Sequence, residues 1–321
     1  MSDIITVSQT VAWLIENDSY LILTHRRPDG DTIGCAGALA HGLRQAGKTA
    51  FVLPNPEVTA RYAPFVEDVY APENYTPEHV IVVDTASYAL FPANARDYIN
   101  AVSLCIDHHP SNKLFANKTC LVDNTASCGE VVYEILMQLN GNISAKCAEC
   151  LYVAVSTDTG CFVFANTTSN TLRVAALLIE AGAPHVKLNK KLFRTKTRQR
   201  VAIEGMIASD LELYFDGKIA IASISNEMMR ITNADEDDLD DIASFPSVID
   251  GVIAGITIRE LSSPTDCKVS VRSSRAINSN DIASLFGGGG HAMAAGFSIN
   301  MSIMDTKKAL LEVLPDFIPV K

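Results

Sequence analysis

The feature that most restricts the fold of this chain is a set of short, unbroken apolar runs that each stop abruptly on histidine or aspartate. "YLILTH" stops at His25, "HVIVVDTA" turns polar at Asp84, and "VSLCIDHH" closes on Asp107, His108 and His109. Runs this continuous, rich in β-branched residues and bounded by Pro, Asn or Asp, read as strands covered on both faces. Between them lie stretches with helical spacing: "DTIGCAGALAHGLRQAG" repeats apolar and small residues on a helical period and ends at Gly47. Strand, helix and strand in this order predict an α/β domain with a mostly parallel sheet, in which ligands gather outside the carboxyl ends of the strands.

"CGEVVYEILMQLNG", "AKCAECLYVAVSTDTG" and "SNTLRVAALLIEAGA" extend the pattern as helices that close on or near glycine. From His185 to Asp210 the chain reads as one long helix with a basic first half. Beyond it the period changes to paired strands. "LELYFDGKIAIASIS" carries Asp216-Gly217 at a hairpin turn, and "GVIAGITIRE" and "CKVSVRSS" supply two further alternating runs. The expected organisation is an N-terminal α/β domain over 1–184, a linker helix over 185–210 and a smaller mixed α/β domain over 211–321.

Composition narrows the function. With 321 residues, 48% of them hydrophobic, the chain can bury two ordinary cores. A formal net charge of -11 argues against a clamp on long duplex DNA, which needs many cations to displace counterions, but leaves room for a short anionic substrate held by a few local cations. No run reaches the eighteen or so uncharged apolar residues of a membrane span, and the first residues lack a basic leader, so a soluble cytoplasmic protein is expected. Eight scattered cysteines set in apolar runs read as reduced, buried thiols, and Cys147 and Cys150 of "CAEC" as one face of a helix. The acidic run "ADEDDLDD" at 234–241 reads as a solvated helix face.

Three strand ends and one further segment carry the candidate chemistry. His25, Asp29 and Asp31 in "THRRPDGD" have the donor types and spacing of a divalent-metal site, or those of a solvated Asp-Gly turn. Asp84 could cap a helix, Asp158 of "STDTG" could make an Asx-turn, and His109 could be a satisfied core histidine. The parallel-sheet geometry would collect all of them at one place, which the separate readings do not explain.

The runs "THRRPDGD", "VVDTA", "DHHPSN", "STDTGCF" and "GGGGHAMAAG", in that order, resemble the DHH phosphoesterase superfamily with its DHH-associated C-terminal domain, and within it the stand-alone oligoribonuclease/pAp-phosphatase (nanoRNase) branch. The resemblance implies two divalent ions, manganese first, with magnesium or cobalt as substitutes. It assigns His25, Asp29 and Asp84 to one ion and Asp31, Asp84, His108 and Asp158 to the other, with Asp84 bridging; a carboxylate-rich shell with two imidazoles suits manganese better than zinc. Two ions about 3.5 to 4 Å apart activate a shared water for in-line attack at phosphorus. The implied catalytic set is Asp84, His108, His109 and Asp107, the last two orienting ligands and contacting the scissile phosphate. Ser111 and Asn112 are implied at the substrate. Gly288, Gly289 and Gly290 would form an amide nest for phosphate, His291 would reach that phosphate across an interdomain cleft, and Arg272 and Arg275 would grip a terminal phosphate. Cys35 and Cys128 depart from the family pattern, which usually has Ser, or Ser or Thr, at those places.

The expected function is a manganese-dependent phosphodiesterase that hydrolyses very short oligonucleotides to mononucleotides, with pAp phosphatase activity beside it. Alternatives are a cyclic or linear dinucleotide (c-di-AMP or pApA) phosphodiesterase, then a pyro- or polyphosphatase, then a nucleotide sensor without turnover. The partners expected are short RNA or a dinucleotide, with neither long duplex DNA nor a membrane; a homodimer is compatible with the sequence.

Overall fold

The structure is a computed structural model that describes residues 2–239 and 241–319. It divides into two compact units, Met1–Thr195 and Lys196–Lys321.

The first unit runs β1 (Asp3–Ile4), α1 (Val7–Glu16), β2 (Tyr20–Leu23), α2 (Gly30–Gln45), β3 (Ala50–Val52), β4 (His79–Val83), β5 (Val102–Asp107), β6 (Lys118–Leu121), α3 (Cys128–Asn140), α4 (Ala145–Asp158), α5 (Ser169–Glu180) and α6 (His185–Asn189). Its sheet has the order β1-β6-β5-β4-β2-β3, and every pairing is parallel. The mostly parallel sheet expected from the apolar runs is therefore present. Strand alternation divides the side chains: Ile22, Ile81, Val83, Leu104 and Ile106 join the core under the α-helices. Leu21, Leu23, Val80, Val82 and Cys105 form a second core with Phe91 and Ala95, beneath 3-10 turns at Tyr88–Leu90 and Ala93–Ala101. Both faces are covered, one of them by irregular chain with no helical period to betray it.

α2 and α4 lie unusually close because α2 is rich in small residues. A Cβ added at Gly34 would run into the carbonyl oxygen of Cys150, so only glycine permits this approach. Asp29, Ser127 and Ser144 cap α2, α3 and α4 by accepting amide hydrogen bonds from their first turns. The eight cysteines are free; seven are buried, Cys147 and Cys150 among them on α4.

The second unit comprises α7 (Arg198–Asp210), β7 (Glu212–Tyr214), β8 (Ile219–Ile224), α8 (Asn226–Thr232), β9 (Ala254–Glu260), β10 (Cys267–Ser273), α9 (Ser279–Leu285), β11 (Gly289–His291), β12 (Ala294–Ile299) and α10 (Ile303–Val313). Its sheet has the order β11-β12-β10-β9-β8-β7, antiparallel except for the parallel β8-β9 pair. Phe215, Asp216 and Gly217 all take positive φ in the β7-β8 turn, as the Asp-Gly signal indicated. Ile256, Ile258, Val269 and Val271 pack with Ile282 and Leu310, and Ala222 and Ile224 pack with Ile203 and Ile207 of α7.

Two expectations are corrected. The helix read over 185–210 is broken: α6 passes into a π turn at Lys190–Arg194, Thr195 is extended, and Thr197 caps a new helix by accepting from the Arg200 amide. Two threonines in three residues favour extended and capping conformations over helix interior, which the charge pattern alone concealed. The acidic run is not a solvated helix face. Asp237–Leu239 form a 3-10 turn in which Asp238 is buried and accepts from the Thr197 hydroxyl, while its carbonyl accepts from Arg200; Asp240 lies outside the described residues.

Candidate metal centre

Parallel strands end their polar residues on one edge, and the first unit uses that edge fully. β2 delivers His25 just past its end. The loop then returns through Asp29, which caps α2 with its side chain accepting from the Asp31 and Thr32 amides at 3.1 and 3.1 Å. In the first turn of α2, Asp31 is buried and accepts from the amides of Cys128 at 2.7 Å and Gly129 at 2.9 Å, at the start of α3. β4 delivers Asp84, β5 delivers Asp107, His108 and His109, and the last residue of helix α4 is Asp158. Asp158 thus comes from the carboxyl end of a helix, in line with the helical reading of "AKCAECLYVAVSTDTG".

Three overlapping groups emerge, His25 with Asp29 and Asp84, Asp31 with His108 and Asp158, and Asp84 with His108 and His109, the ligand atoms of each lying within 4.8 Å of one another. His25 Nδ1 lies 2.8 Å from the Arg26 carbonyl, which turns Nε2 toward Asp29 at 3.7 Å and Asp84 at 3.9 Å. His108 Nε2 stands 3.5 Å from Asp84, 3.7 Å from Asp158 and 3.8 Å from Asp31. These separations exceed hydrogen-bonding distance. They suit side chains gathered around a shared cation.

His109 differs. Its Nδ1 lies 2.8 Å from Asp107, whose carboxylate also accepts from the His108 amide at 2.9 Å and from Asn112 Nδ2 at 2.6 Å. That commitment removes His109 Nδ1 from competition for a metal despite its 3.5 Å approach to Asp84. Burial alone would raise the Asp107 carboxyl, but hydrogen bonds from His109 and Asn112 outweigh it and hold it below the usual carboxylate range. The same Asp107 bond is the main cause that raises His109. Asn112 is turned toward Asp107 rather than outward, with its carbonyl accepting from the Leu114 amide at 2.7 Å; Ser111 is exposed on the wall of the adjoining cavity.

The electrostatics are those of a site short of positive charge. Burial, then the neighbouring Asp158 and Asp29, push Asp31 well above its ordinary value; burial, then Asp31 and Asp29, do the same to Asp84. Asp158 is raised to about 6 by burial and Asp29. Burial, then the charge of His109, lowers His108 and so favours its neutral, ligating form. For His25, burial is outweighed by the hydrogen bond and charge of Asp29, and its affinity for a proton rises.

Asp84 is the clearest anomaly. It is 3% exposed, its Oδ1 has no hydrogen-bond partner, and its backbone sits in the left-handed region at φ 49°, which aspartate enters more readily than most residues. A buried carboxylate oxygen without a proton donor is suited to binding a cation. The donor set of carboxylates and imidazoles fits a hard or borderline divalent ion such as manganese or magnesium. Cys35 and Cys128 lie beside this set as protonated thiols, pushed up by burial; Cys35 Sγ is 3.4 Å from Asp31 Oδ1.

A cavity of about 770 Å³ opens from the cluster and is bounded also by Arg26, Arg27 and Arg96 and by Leu90, Phe91 and Pro92. None of these six stands out in sequence; Leu90 and Arg96 lie in 3-10 segments that have no period, and Phe91 and Pro92 in the link between them. In the second unit, Gly288 approaches β12 so closely that a Cβ would strike Gly296 and Phe297. Gly289, Gly290 and His291 form the exposed edge strand β11. Arg272 lines a separate cavity of about 250 Å³ with Arg259 and Lys268, and Arg275 is exposed in the turn after β10.

Comparisons with known proteins agree with this architecture. The model of the DHH family, N-terminal domain, matches residues 19–155, and that of the DHHA1 domain matches residues 216–318. A protein of Thermus thermophilus named bifunctional oligoribonuclease and PAP phosphatase NrnA is 29% identical over 282 residues, covering 87% of this chain and 83% of the relative. The protein of that name from Bacillus subtilis is 27% identical over 288 residues, covering 88% and 90%. Among solved structures, an exopolyphosphatase-related protein from Bacteroides fragilis superposes with a TM-score of 0.85 at 23% identity over 97% of both chains, which shows a shared fold. With its strand-end aspartates and histidines on one edge of a parallel sheet and both domain models matched in order, the chain belongs to the DHH family and carries a DHHA1 domain.

Proposed function

We propose that the chain is a divalent-metal-dependent phosphodiesterase that releases mononucleotides from very short oligonucleotides, with a phosphatase activity on pAp. The observation that carries the reading is the buried, unpartnered Asp84 oxygen among carboxylates raised by burial and by one another's charge. The names of the Thermus and Bacillus relatives, each an oligoribonuclease and PAP phosphatase, support the substrate class.

In this reading His25, Asp29 and Asp84 hold one ion, and Asp31, Asp84, His108 and Asp158 hold a second, manganese in the first instance. Such ions polarise phosphoryl oxygens and lower the pKa of water. The protein groups do the rest. The amides of Cys128 and Gly129 fix the Asp31 carboxylate, and the Arg26 carbonyl fixes the His25 ring, so both present a chosen atom. Asp107, steadied by Asn112, orients His109 and favours its protonated form, which offers an N–H to a phosphoryl oxygen or to the departing hydroxyl. Ser111, Arg272, Arg275, the glycines at 288–290 and His291 are assigned to substrate phosphate in the same reading.

Turnover on pApA, a short RNA, c-di-AMP, pAp and pyrophosphate, with manganese and with chelator, tests it, with Asp84→Ala as control. Mononucleotide release from pApA and short RNA, lost in the variant, supports the proposal. Cleavage of pyrophosphate alone moves the chain to pyrophosphatase chemistry, and silence on all five makes it a binding protein.

A further inference from the structure

The metal-ligand candidates His25, Asp29, Asp84 and Asp158 make up only part of the lining of the 770 Å³ cavity. That volume falls within the range of pockets for whole small molecules and is far more than one phosphate fills. Three guanidinium groups, those of Arg26, Arg27 and Arg96, line the remainder, and among the described residues none has a hydrogen-bond or ion-pair partner for its side chain. Some arginines elsewhere in the chain have partners: Arg44 bonds the Ala50 carbonyl, Arg200 pairs with Glu204 and Arg230 with Glu227. Outside the metal cluster the wall carries a single carboxylate, Glu57, against these three cations. Beside them the half-buried Leu90 offers an apolar surface, with Phe91 and Pro92 buried behind it. The two sides are joined by one backbone bond, from the Arg26 amide to the Leu90 carbonyl at 2.7 Å, so the cations and the apolar wall form one built surface.

Guanidinium forks match the oxygens of a phosphate, and a flat apolar wall accepts the face of a base. From this juxtaposition we propose that the annex seats a nucleotide through a phosphate other than the one being cleaved, gripped by Arg26, Arg27 and Arg96, with the base or sugar against Leu90. The inference rests on the phosphodiesterase reading above and deepens it: the substrate class is a short nucleotide bearing a second, terminal phosphate, and the three arginines select for it.

Two measurements separate the parts. First, kcat/KM for pApA divided by that for ApA reads recognition of the terminal phosphate in the manganese-loaded enzyme. The ratio is expected to exceed about tenfold and to fall by about tenfold for each guanidinium removed, as in Arg27→Ala and Arg96→Ala, mainly through KM. Arg96→Lys, which keeps the charge but not the fork, should recover part of it. Second, calorimetric binding of AMP against adenosine reads the annex without turnover; AMP affinity should drop about tenfold or more in Arg27→Ala/Arg96→Ala. All three side chains are exposed, so the variants retain their cores. A wild-type ratio near one, or AMP affinity indifferent to both arginines, overturns the annex while leaving the phosphodiesterase reading intact. Arginine-dependent AMP binding without hydrolysis of either dinucleotide keeps the annex as a nucleotide site and sinks the phosphodiesterase reading.

Discussion

Two buried carboxylates in the same unit show what separates a structural acid from a chemical one. Glu130 accepts from the Thr171 hydroxyl at 2.8 Å, the Asn170 amide at 2.9 Å and the Ala126 N–H at 3.2 Å. Asp84 is equally buried and has an empty oxygen. Removing charge from Asp84 therefore relieves repulsion: Asp84→Asn should stabilise the metal-stripped protein by about 1–2 kcal/mol in urea titration while abolishing turnover. Protonation should act the same way at Asp158, whose folded value near 6 lies above its ordinary 3.8. Between those two values the unfolded chain has lost the proton that the folded chain keeps, so stability falls as pH rises through that window, by on the order of 2 kcal/mol. Thermal melts of stripped protein should thus decline from pH 4 to pH 7, and the gain in Tm from manganese should grow over the same interval. Asn112→Ala tests the support of Asp107; the expected loss is about 10- to 100-fold in kcat with little change in KM for pApA. His25, Asp84, Asp107, His108 and His109 were legible in sequence because they follow apolar runs, and Asp29 and Asp31 by their spacing from His25. The inward turn of Asn112 was not, since its partner Asp107 is chosen by tertiary geometry rather than by spacing.

At the scale of elements, continuous β-branched runs made β2, β4 and β5 readable, and glycine stops made α3 and α5 readable. β1 has two residues, too few for any period, and the 3-10 cover over β4 and β5 has none. The break between α6 and α7 was masked by an unbroken run of helix-compatible charge. What positions the centre is the contact of α2 with α4, since it sets Asp31 of one helix against Asp158 at the end of the other. Gly34→Ala would push a methyl against the Cys150 carbonyl and should cost about 1–3 kcal/mol despite the better helix propensity of alanine. Urea midpoints test this, and a gain in stability would show that the helices can part without strain.

In the whole molecule, each unit has its own hydrophobic core, and the candidate ligands all belong to the first. Calorimetry should resolve two transitions, and manganese should raise only one of them, by an amount that follows its concentration. Asp84→Ala should abolish that shift; a joint rise of both transitions would mean that the units melt as one. The division into two units was foreshadowed by the change from helix-rich alternation to hairpins. The crowding of carboxylates around Asp84 has a further consequence. A chain synthesised where the ion is scarce keeps that repulsion uncompensated, opens more often and is cut by proteases sooner, so its abundance would track the supply of metal without any dedicated regulator.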